Sequence, residues 1–380
     1  MIGWAAVAIW LGCTDASSRM EAERFVWNVP EGVSEPDVPA DNPMSEAKVE
    51  LGRHLFYDTR LSGNRTQACG SCHQQALAFT DGLALAVGST GQLHTRGTMS
   101  LANVAYAESL TWANPVLLNL ERHALVPLFG ERPVELGLSG QDKQLVNRMA
   151  MHPDYPTMFE AAFPERGGEI SIATITRALA AFQRTVLSTN SAYDRHLQGI
   201  PGALSETAQR GMELFFSERL RCAHCHRGFF FSDAASDPTT DVEREPSATP
   251  DGRPFHNTGL YNLGARGDYP EGNAGLYAFT GDPKDIGRFK TPTLRNIAVT
   301  APYMHDGSIE ALEGVVSHYA AGGRTILDGP HAGVGHLNPN KSELVSGFEI
   351  TPEETRDLIA FLRSLTDEDL LTDPQLAAPR

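Results

Sequence analysis

Apolar residues recur at helical spacing in two segments that resemble each other, one late in each half of the chain. The segment ITRALAAFQRTV at 175–186 matches TRDLIAFLRSL at 355–365, with apolar residues three or four positions apart in both. The residues Thr351-Pro352-Glu353-Glu354 precede the second segment with an N-cap, a proline for the first turn and acidic residues near the positive end of the helix dipole. The pattern predicts a helix that closes each half.

A second pair of matching segments occurs earlier in each half. ELGRHLF at 50–56 is followed by Arg-Leu at 60–61, and RGMELF at 210–215 is followed by Arg-Leu at 219–220. An internal repeat of this length indicates two related structural units. We therefore predict a mainly α protein of two domains in tandem, over 44–199 and 204–368, joined near the Gly-Ile-Pro-Gly-Ala segment that ends at Ala203.

Residues 232–290 lack a sustained hydrophobic period and are rich in Gly, Pro, Asp and Asn. Such a composition predicts long ordered loops and little sheet. Loops of that length in a compact domain usually line a functional site.

The length and charge of the chain narrow the classes of function. A chain of 380 residues exceeds what one hydrophobic core usually serves, which agrees with two domains. Its 31 Lys and Arg against 47 Asp and Glu give a net charge of −16, which repels phosphate backbones and anionic lipids. We therefore expect no nucleic-acid partner and no membrane contact through the folded surface.

The N-terminal segment MIGWAAVAIWLG is apolar but shorter than the roughly 20 residues of a spanning helix. We interpret residues 1–18 as an export signal, although no Lys or Arg precedes the apolar run. The sequence Leu11-Gly12-Cys13 is a loose lipoprotein signal, so either Cys13 carries a lipid anchor or the signal is an ordinary secretory one. Both alternatives predict a periplasmic protein.

Two Cys-x-x-Cys-His motifs carry the chemistry of the chain. In Cys69-Gly-Ser-Cys72-His73 and Cys222-Ala-His-Cys225-His226, two thiols are spaced to attach a haem covalently and a histidine follows to ligate its iron. A zinc site needs four clustered ligands, and a redox dithiol has no use for the adjacent histidine. The motifs predict two covalently attached haems c, with Met304 as a candidate sixth ligand because methionine is a common partner of a haem histidine.

Four further strings surround these motifs: LGRHLFYDTRLSG at 51–63, FTDG at 79–82, KTPTLRNI at 290–297 and PYMHDG at 302–307. They resemble those of the bacterial dihaem cytochrome c peroxidase and MauG superfamily, over residues 46–368. The resemblance implies that the first haem, held by His73, is open and reacts with hydrogen peroxide, whereas the second haem, held by His226, is six-coordinate.

The resemblance also implies a sixth ligand for the second haem, fourteen residues after His305. Peroxidases of the superfamily carry Met there and MauG carries Tyr, and the position in this chain is Tyr319. Because an anionic oxygen stabilises higher oxidation states, Tyr319 favours stored oxidising power over electron acceptance. Met304 remains the alternative. The adjacent His318 is expected to be exposed or hydrogen-bonded, because neighbouring helical residues face different directions.

Further site residues follow from the same resemblance. Glu135 matches the carboxylate beside the first haem that moves a proton between the peroxide oxygens. His123 occupies a position at which many members carry Gln, and Trp112 matches a tryptophan between the haems. Thr300 and Pro302 match backbone ligands of a calcium ion, whereas the position of its asparagine ligand is Gly97 in this chain.

Within the superfamily, the strings FGERPVELG at 129–137 and GPHAGVGHLNPNK at 329–341 are most similar to the MbnH-type branch. This similarity implies an exported oxidase that uses hydrogen peroxide to store two oxidising equivalents across both haems. It would oxidise a tryptophan of a small copper-binding exported protein of the MbnP type. Two alternatives remain: a peroxidase supplied with electrons by a small cytochrome or copper protein, and an electron carrier without catalytic activity.

Overall fold

The computed structural model describes residues 25–236 and 254–380. The predicted export signal and Cys13 lie outside the described residues. The described chain is mostly helical, as predicted, and its strands are two residues long: β1 (Thr325–Ile326) pairs antiparallel with β2 (Gly333–Val334). Its α-helices are α1 (Glu46–Tyr57), α2 (Cys69–Cys72), α3 (Leu120–His123), α4 (Leu125–Phe129), α5 (Asp142–Ala150), α6 (Tyr155–Ala162), α7 (Ile172–Arg184), α8 (Ala192–Leu197), α9 (Glu206–Phe215), α10 (Cys222–Cys225), α11 (Tyr277–Thr280), α12 (Leu312–Ala320), α13 (Pro352–Arg363) and α14 (Glu368–Thr372).

The two pairs of matching segments form two equivalent helix crossings. In the first half α1 packs on α7, and in the second half α9 packs on α13. The closing helix α13 begins as predicted, since Thr351 and Glu354 cap each other's backbone N–H groups. The predicted repeat of secondary structure is therefore present in both halves.

A glycine stands at the centre of each crossing. A Cβ at Gly52 would overlap the carbonyl group of Ala178 on α7, and a Cβ at Gly211 would overlap that of Asp357 on α13. Ala178 and Asp357 occupy equivalent positions of the two repeated segments. Only a residue without a side chain lets these helices approach so closely.

Two hydrophobic cores lie behind these crossings. The first contains residues between Leu51 and Val186, and the second contains Ala113 together with residues between Tyr193 and Leu365. The cores do not divide cleanly along the chain, because Leu370 and Leu376 return to the first core. The domain boundaries 44–199 and 204–368 remain predictions.

A buried ion pair connects the region between the halves with the second haem motif. The Arg295 guanidinium donates to both carboxylate oxygens of Asp194, at 2.7 and 2.8 Å, and its Nε donates to the carbonyl of Phe229 at 2.8 Å. Both charged side chains are almost completely buried. Across residues 25–236 and 254–380, no helix is both long enough and apolar enough to span a bilayer.

Candidate haem sites

The two Cys-x-x-Cys-His motifs fold in the same way. The cysteines of each motif lie in a one-turn helix, α2 or α10, and the histidine follows at its end. Nδ1 of His73 lies 2.8 Å from the carbonyl oxygen of Phe79, and Nδ1 of His226 lies 3.1 Å from that of Phe231. A carbonyl requires a protonated Nδ1, which leaves Nε2 free to ligate a metal. Burial lowers the pKa of both imidazoles, which favours the neutral form that ligation needs.

The two carbonyl groups share an unusual backbone conformation. Phe79 has φ 62° and Phe231 has φ 50°, in the left-handed region that bulky residues rarely adopt. Their side chains are 0% and 1% exposed, so core packing holds the turn in place. The strained turn aims each carbonyl at its histidine, and such strain is often retained at functional sites.

A largely apolar cavity of about 1480 Å³ opens in front of the second motif. Its wall includes Cys222, Cys225 and His226 on one side and Met304 and Tyr319 among its other residues. Nε2 of His305, which also lines the cavity, is buried and has no hydrogen-bond partner among the described residues. Two thiols, an imidazole, an apolar wall and an unsatisfied polar atom fit a covalently attached haem.

Tyr319 and Met304 both face this second cavity. Tyr319 lies on α12, and burial together with the nearby thiols of Cys225 and Cys222 raises the pKa of its hydroxyl group. Ionisation of the phenol there therefore needs a nearby positive charge, which a bound ferric iron would supply. Met304 has φ 69° in an irregular segment. The choice of sixth ligand remains a prediction.

The expectation for His318 was wrong. Its side chain is buried, and both ring nitrogens are without a hydrogen-bond partner in the described part of the chain. Burial and the charge of Arg324 lower its pKa to about 4, which keeps the ring neutral. The ring of His318 also contacts the edge or face of the Tyr319 ring, with 5.0 Å between the ring centroids, and the chain segments that bury His318 could not be identified from the sequence.

A buried ionic pair on the wall of the second cavity was missed by the sequence analysis. Nε2 of His256 lies 2.7 Å from a carboxylate oxygen of Asp233, and both groups lie near the sulfur of Cys225. Burial is the largest single influence on His256 and opposes a charge there, but the hydrogen bonds and charges of Asp233 and Cys225 together outweigh it and raise the pKa to about 10. Cys225 is committed to haem attachment, so we do not interpret this cluster as a separate metal site.

Glu135 lies beside the first haem motif. Its carboxylate is close enough to Cys69 and Cys72 for its charge to raise the pKa of both thiols. Burial raises the pKa of Glu135 itself to about 7. A carboxyl group with that pKa can accept and return a proton near neutral pH, as a general acid–base residue must.

His123 ends α3 and belongs to the same region. Burial lowers its pKa to about 4, and the charges of His73 and Lys290 add to this effect. At neutral pH the ring is therefore uncharged, and it can donate and accept hydrogen bonds without introducing a charge. The proximity of His123 to His73 agrees with a place beside the first haem, but its role remains a prediction.

Trp112 lies at the boundary between two cavities. It lines both the second haem cavity and a neighbouring cavity of about 980 Å³. Its indole N–H donates to the carbonyl of Gly97 at 2.9 Å, and its own carbonyl accepts from the N–H of Lys290 at 2.8 Å. These contacts hold Trp112 against the segments that contain Gly97 and Lys290.

Thr300 and Pro302, the predicted calcium ligands, line the smaller cavity together with Gly97. Asp81 lies on the same wall and was not considered in the sequence analysis. Its carboxylate accepts from the Thr98 hydroxyl at 2.7 Å and from the Leu83 N–H at 3.0 Å. Oxygen groups suit calcium, but binding of the ion remains a prediction.

Comparison with known proteins places this geometry in context. The family model described as di-haem cytochrome c peroxidase matches residues 46–201. The chain is 35% identical to cytochrome-c peroxidase IdrP1 of Denitromonas iodatirespirans, with 98% of this chain and 95% of that protein covered. It is 34% identical to the methylamine utilization protein MauG of Methylorubrum extorquens, with 95% and 90% covered.

Solved structures agree with these relatives. A MauG-like protein associated with microbial copper homeostasis has a TM-score of 0.88 and 48% identity, over 93% of this chain and 99% of that one. The dihaem peroxidase BthA of Burkholderia thailandensis has a TM-score of 0.66 over 93% and 97%. Its identity of 20% supports the fold alone.

Proposed function

The chain belongs to the dihaem cytochrome c peroxidase and MauG family of hydrogen-peroxide-dependent oxidoreductases, and we propose that it oxidises an aromatic residue, a tryptophan, of a partner protein. Two covalently attached haems c would supply the redox chemistry. The observation that carries the proposal is a tyrosine, Tyr319, on the wall of the second haem cavity at the position that the MauG resemblance implies. The 48% identity to a MauG-like protein supports the same branch.

Different residues of this chain would transfer the protons and the oxidising equivalents of the reaction. Glu135 holds a carboxyl group whose pKa near 7 suits transfer of a peroxide proton from one oxygen to the other. Trp112, which lines the second haem cavity and donates its indole N–H to the Gly97 carbonyl, would carry oxidising equivalents between the haems. The charge of −16 favours a partner with a basic docking surface.

We propose a small copper-binding exported protein of the MbnP type as the partner. Support comes from the similar MauG-like protein, which is described as associated with copper homeostasis. The proposal places both proteins in the periplasm. Export and a lipid anchor at Cys13 concern residues outside the described part of the chain.

The second candidate function is reduction of hydrogen peroxide with electrons from a small cytochrome or copper protein. One observation favours it: Met304 lies on the same cavity wall as Tyr319 and offers a thioether ligand. The curated relative with 35% identity is also named a cytochrome-c peroxidase.

The test compares Tyr319→Phe with Met304→Leu in the haem-loaded, fully ferric protein. Stoichiometric hydrogen peroxide is added without a reductant, and the visible and near-infrared spectra are recorded. We expect the native protein and Met304→Leu to develop a long-lived near-infrared absorption that Tyr319→Phe lacks. If the native protein reacts only after an electron is supplied, and Met304→Leu alters the second haem while Tyr319→Phe does not, the peroxidase function replaces our proposal.

A further inference from the structure

His94 lies next to Glu135, the carboxyl group beside the first haem motif. Its Nε2 lies 3.8 Å from Oε1 of Glu135, and the two side chains are 28% and 37% exposed. Both side chains are therefore of intermediate exposure. No motif in the sequence marks His94, which is 41 positions from Glu135 and lies in an irregular segment.

The loop that carries His94 is held firmly against the loop that carries Glu135. The Ser89 N–H donates to the Glu135 carbonyl at 2.7 Å, and the Val134 N–H donates to the Gln92 side-chain carbonyl at 3.0 Å. Gly88 approaches Val134 so closely that a Cβ there would overlap the Val134 carbonyl. The distance between the imidazole and the carboxyl group is thus set by the backbone on both sides.

Hydrogen bonding also fixes which ring nitrogen of His94 carries the proton. The backbone N–H of Arg96 donates to Nδ1 at 3.3 Å, so Nδ1 is an acceptor and the neutral ring carries its proton on Nε2. That N–H is the one nearest Glu135. The gap of 3.8 Å is longer than a direct hydrogen bond, but catalytic contacts of this kind often tighten only when substrate binds.

The surroundings of His94 and Glu135 favour the uncharged form of both side chains. Burial lowers the pKa of His94, and the neighbouring guanidinium of Arg96 lowers it further. Burial raises the pKa of Glu135 to about 7. The thiols nearest to Glu135, Cys69 and Cys72, lose their acidic protons when haem is attached. Burial thus favours the uncharged form of both groups, between which a proton can pass.

We propose that His94 is a proton-relay residue that carries protons between solvent and the Glu135 carboxyl group. The proposal rests on the assignment of Glu135 to the peroxide side of the first haem. Conversion of one hydrogen peroxide to two waters consumes two electrons and two protons. The partner's aromatic residue, or an electron-donor protein, supplies the electrons. The protons enter from solvent through His94, and Glu135 passes them on to the peroxide oxygens.

Cyanide tests the relay without peroxide and without a partner. Hydrogen cyanide releases a proton when it binds ferric haem, and that proton must leave the pocket. In stopped-flow experiments, the haem spectrum follows binding and a pH-indicator dye in weakly buffered solution follows proton release. In the native protein we expect the two signals to coincide. In His94→Gln we expect proton release to lag behind binding by about tenfold, and added phosphate to remove the lag, because Glu135 retains the proton until buffer reaches it.

His54→Gln is the matched control. His54 also faces a glutamate, Glu50 at 3.0 Å, but on α1 away from the Glu135 loop. Coincident signals in His94→Gln would overturn the proposal, and so would a lag that phosphate does not remove. His94→Asn replaces His94→Gln if the latter does not retain haem. Because no partner takes part, a failure of the proposed tryptophan oxidation leaves this result unchanged.

Discussion

Replacement of Arg295 by methionine tests the ionic pair that connects α8 with the second haem motif. The substitution removes two hydrogen bonds to Asp194 and one to the carbonyl of Phe229. It also removes the guanidinium from above the Phe229 ring, to whose centre the distance is 3.9 Å. The carboxylate of Asp194 is left buried with only the hydrogen bonds from Ser191.

The size of the effect follows from this burial. Removal of one partner from a buried pair leaves an uncompensated charge and typically costs about 3–5 kcal/mol of unfolding free energy. We expect Arg295→Met to lie in that range. Arg219→Met is the control, because its pair with Glu354 is exposed to solvent and we expect a much smaller loss.

The assay is guanidinium unfolding of the haem-loaded protein, followed by far-ultraviolet circular dichroism and by haem absorbance.

The Asp194 carboxyl group also predicts how the stability of the native protein depends on pH. Arg295 and Ser191 hold the pKa of the Asp194 carboxyl group below its ordinary value despite its burial. The pair therefore stabilises the native protein above the unfolded pKa of about 4, and this stability is lost as the pH falls through the lower folded pKa.

Two outcomes would refute this reasoning. A loss of less than about 1 kcal/mol would place the pair in the range of exposed ion pairs. A double variant with Asp194→Asn that is as unstable as the sum of the two single variants would show no coupling between the charges. We expect the double variant to be less destabilised than that sum, because it leaves no buried charge unpaired.

Three further predictions concern the helix crossing, the proton chemistry and the path between the haems. Gly211→Ala should lower the unfolding free energy by about 1–3 kcal/mol, because the added Cβ clashes with the Asp357 backbone. Glu213→Ala, on the exposed side of α9, should not lower it, and equal effects of the two substitutions would contradict the close crossing. Glu135→Gln should slow the reaction with peroxide by about 10²–10⁴-fold. In stopped-flow measurements the rate of the native protein should decline below the Glu135 pKa of about 7, because only the carboxylate accepts a proton, and Glu135→Gln should lack this decline. A decline that Glu135→Gln retains would belong to another group. Trp112→Phe should leave both haems bound and slow partner oxidation measured by mass spectrometry, and an unchanged rate would remove Trp112 from the path.

Features that depend on neighbours in the sequence could be predicted. The haem motifs and the repeated helices are each short continuous segments, and the N-cap motif of α13 consists of four consecutive residues. The matching segments of the two halves also contain the glycines of both crossings. The role of Gly52 and Gly211 depends on their contact with Ala178 and Asp357, which the sequence does not show.

Features that depend on distant contacts could not be predicted. Arg295 and Asp194 are 101 positions apart, and the Gln75 side chain donates to the carbonyls of Leu370 and Asp373. His94 lies in an irregular loop, where no periodicity indicates what its side chain faces. The same lack of long-range information explains the wrong expectation for His318.

The two haem motifs share their backbone design and differ in the titratable groups beside them. Both use a one-turn helix, a part-buried histidine and a strained phenylalanine carbonyl. Beside the first motif, Glu135 and His94 form a pair of titratable groups whose nearest side-chain atoms are 3.8 Å apart. Around the second motif, burial opposes ionisation of Tyr319, and His305 lies buried in the same wall. Because peroxide chemistry consumes protons, we predict that it takes place at the first motif, where these two groups lie, and that the second haem stores oxidising equivalents.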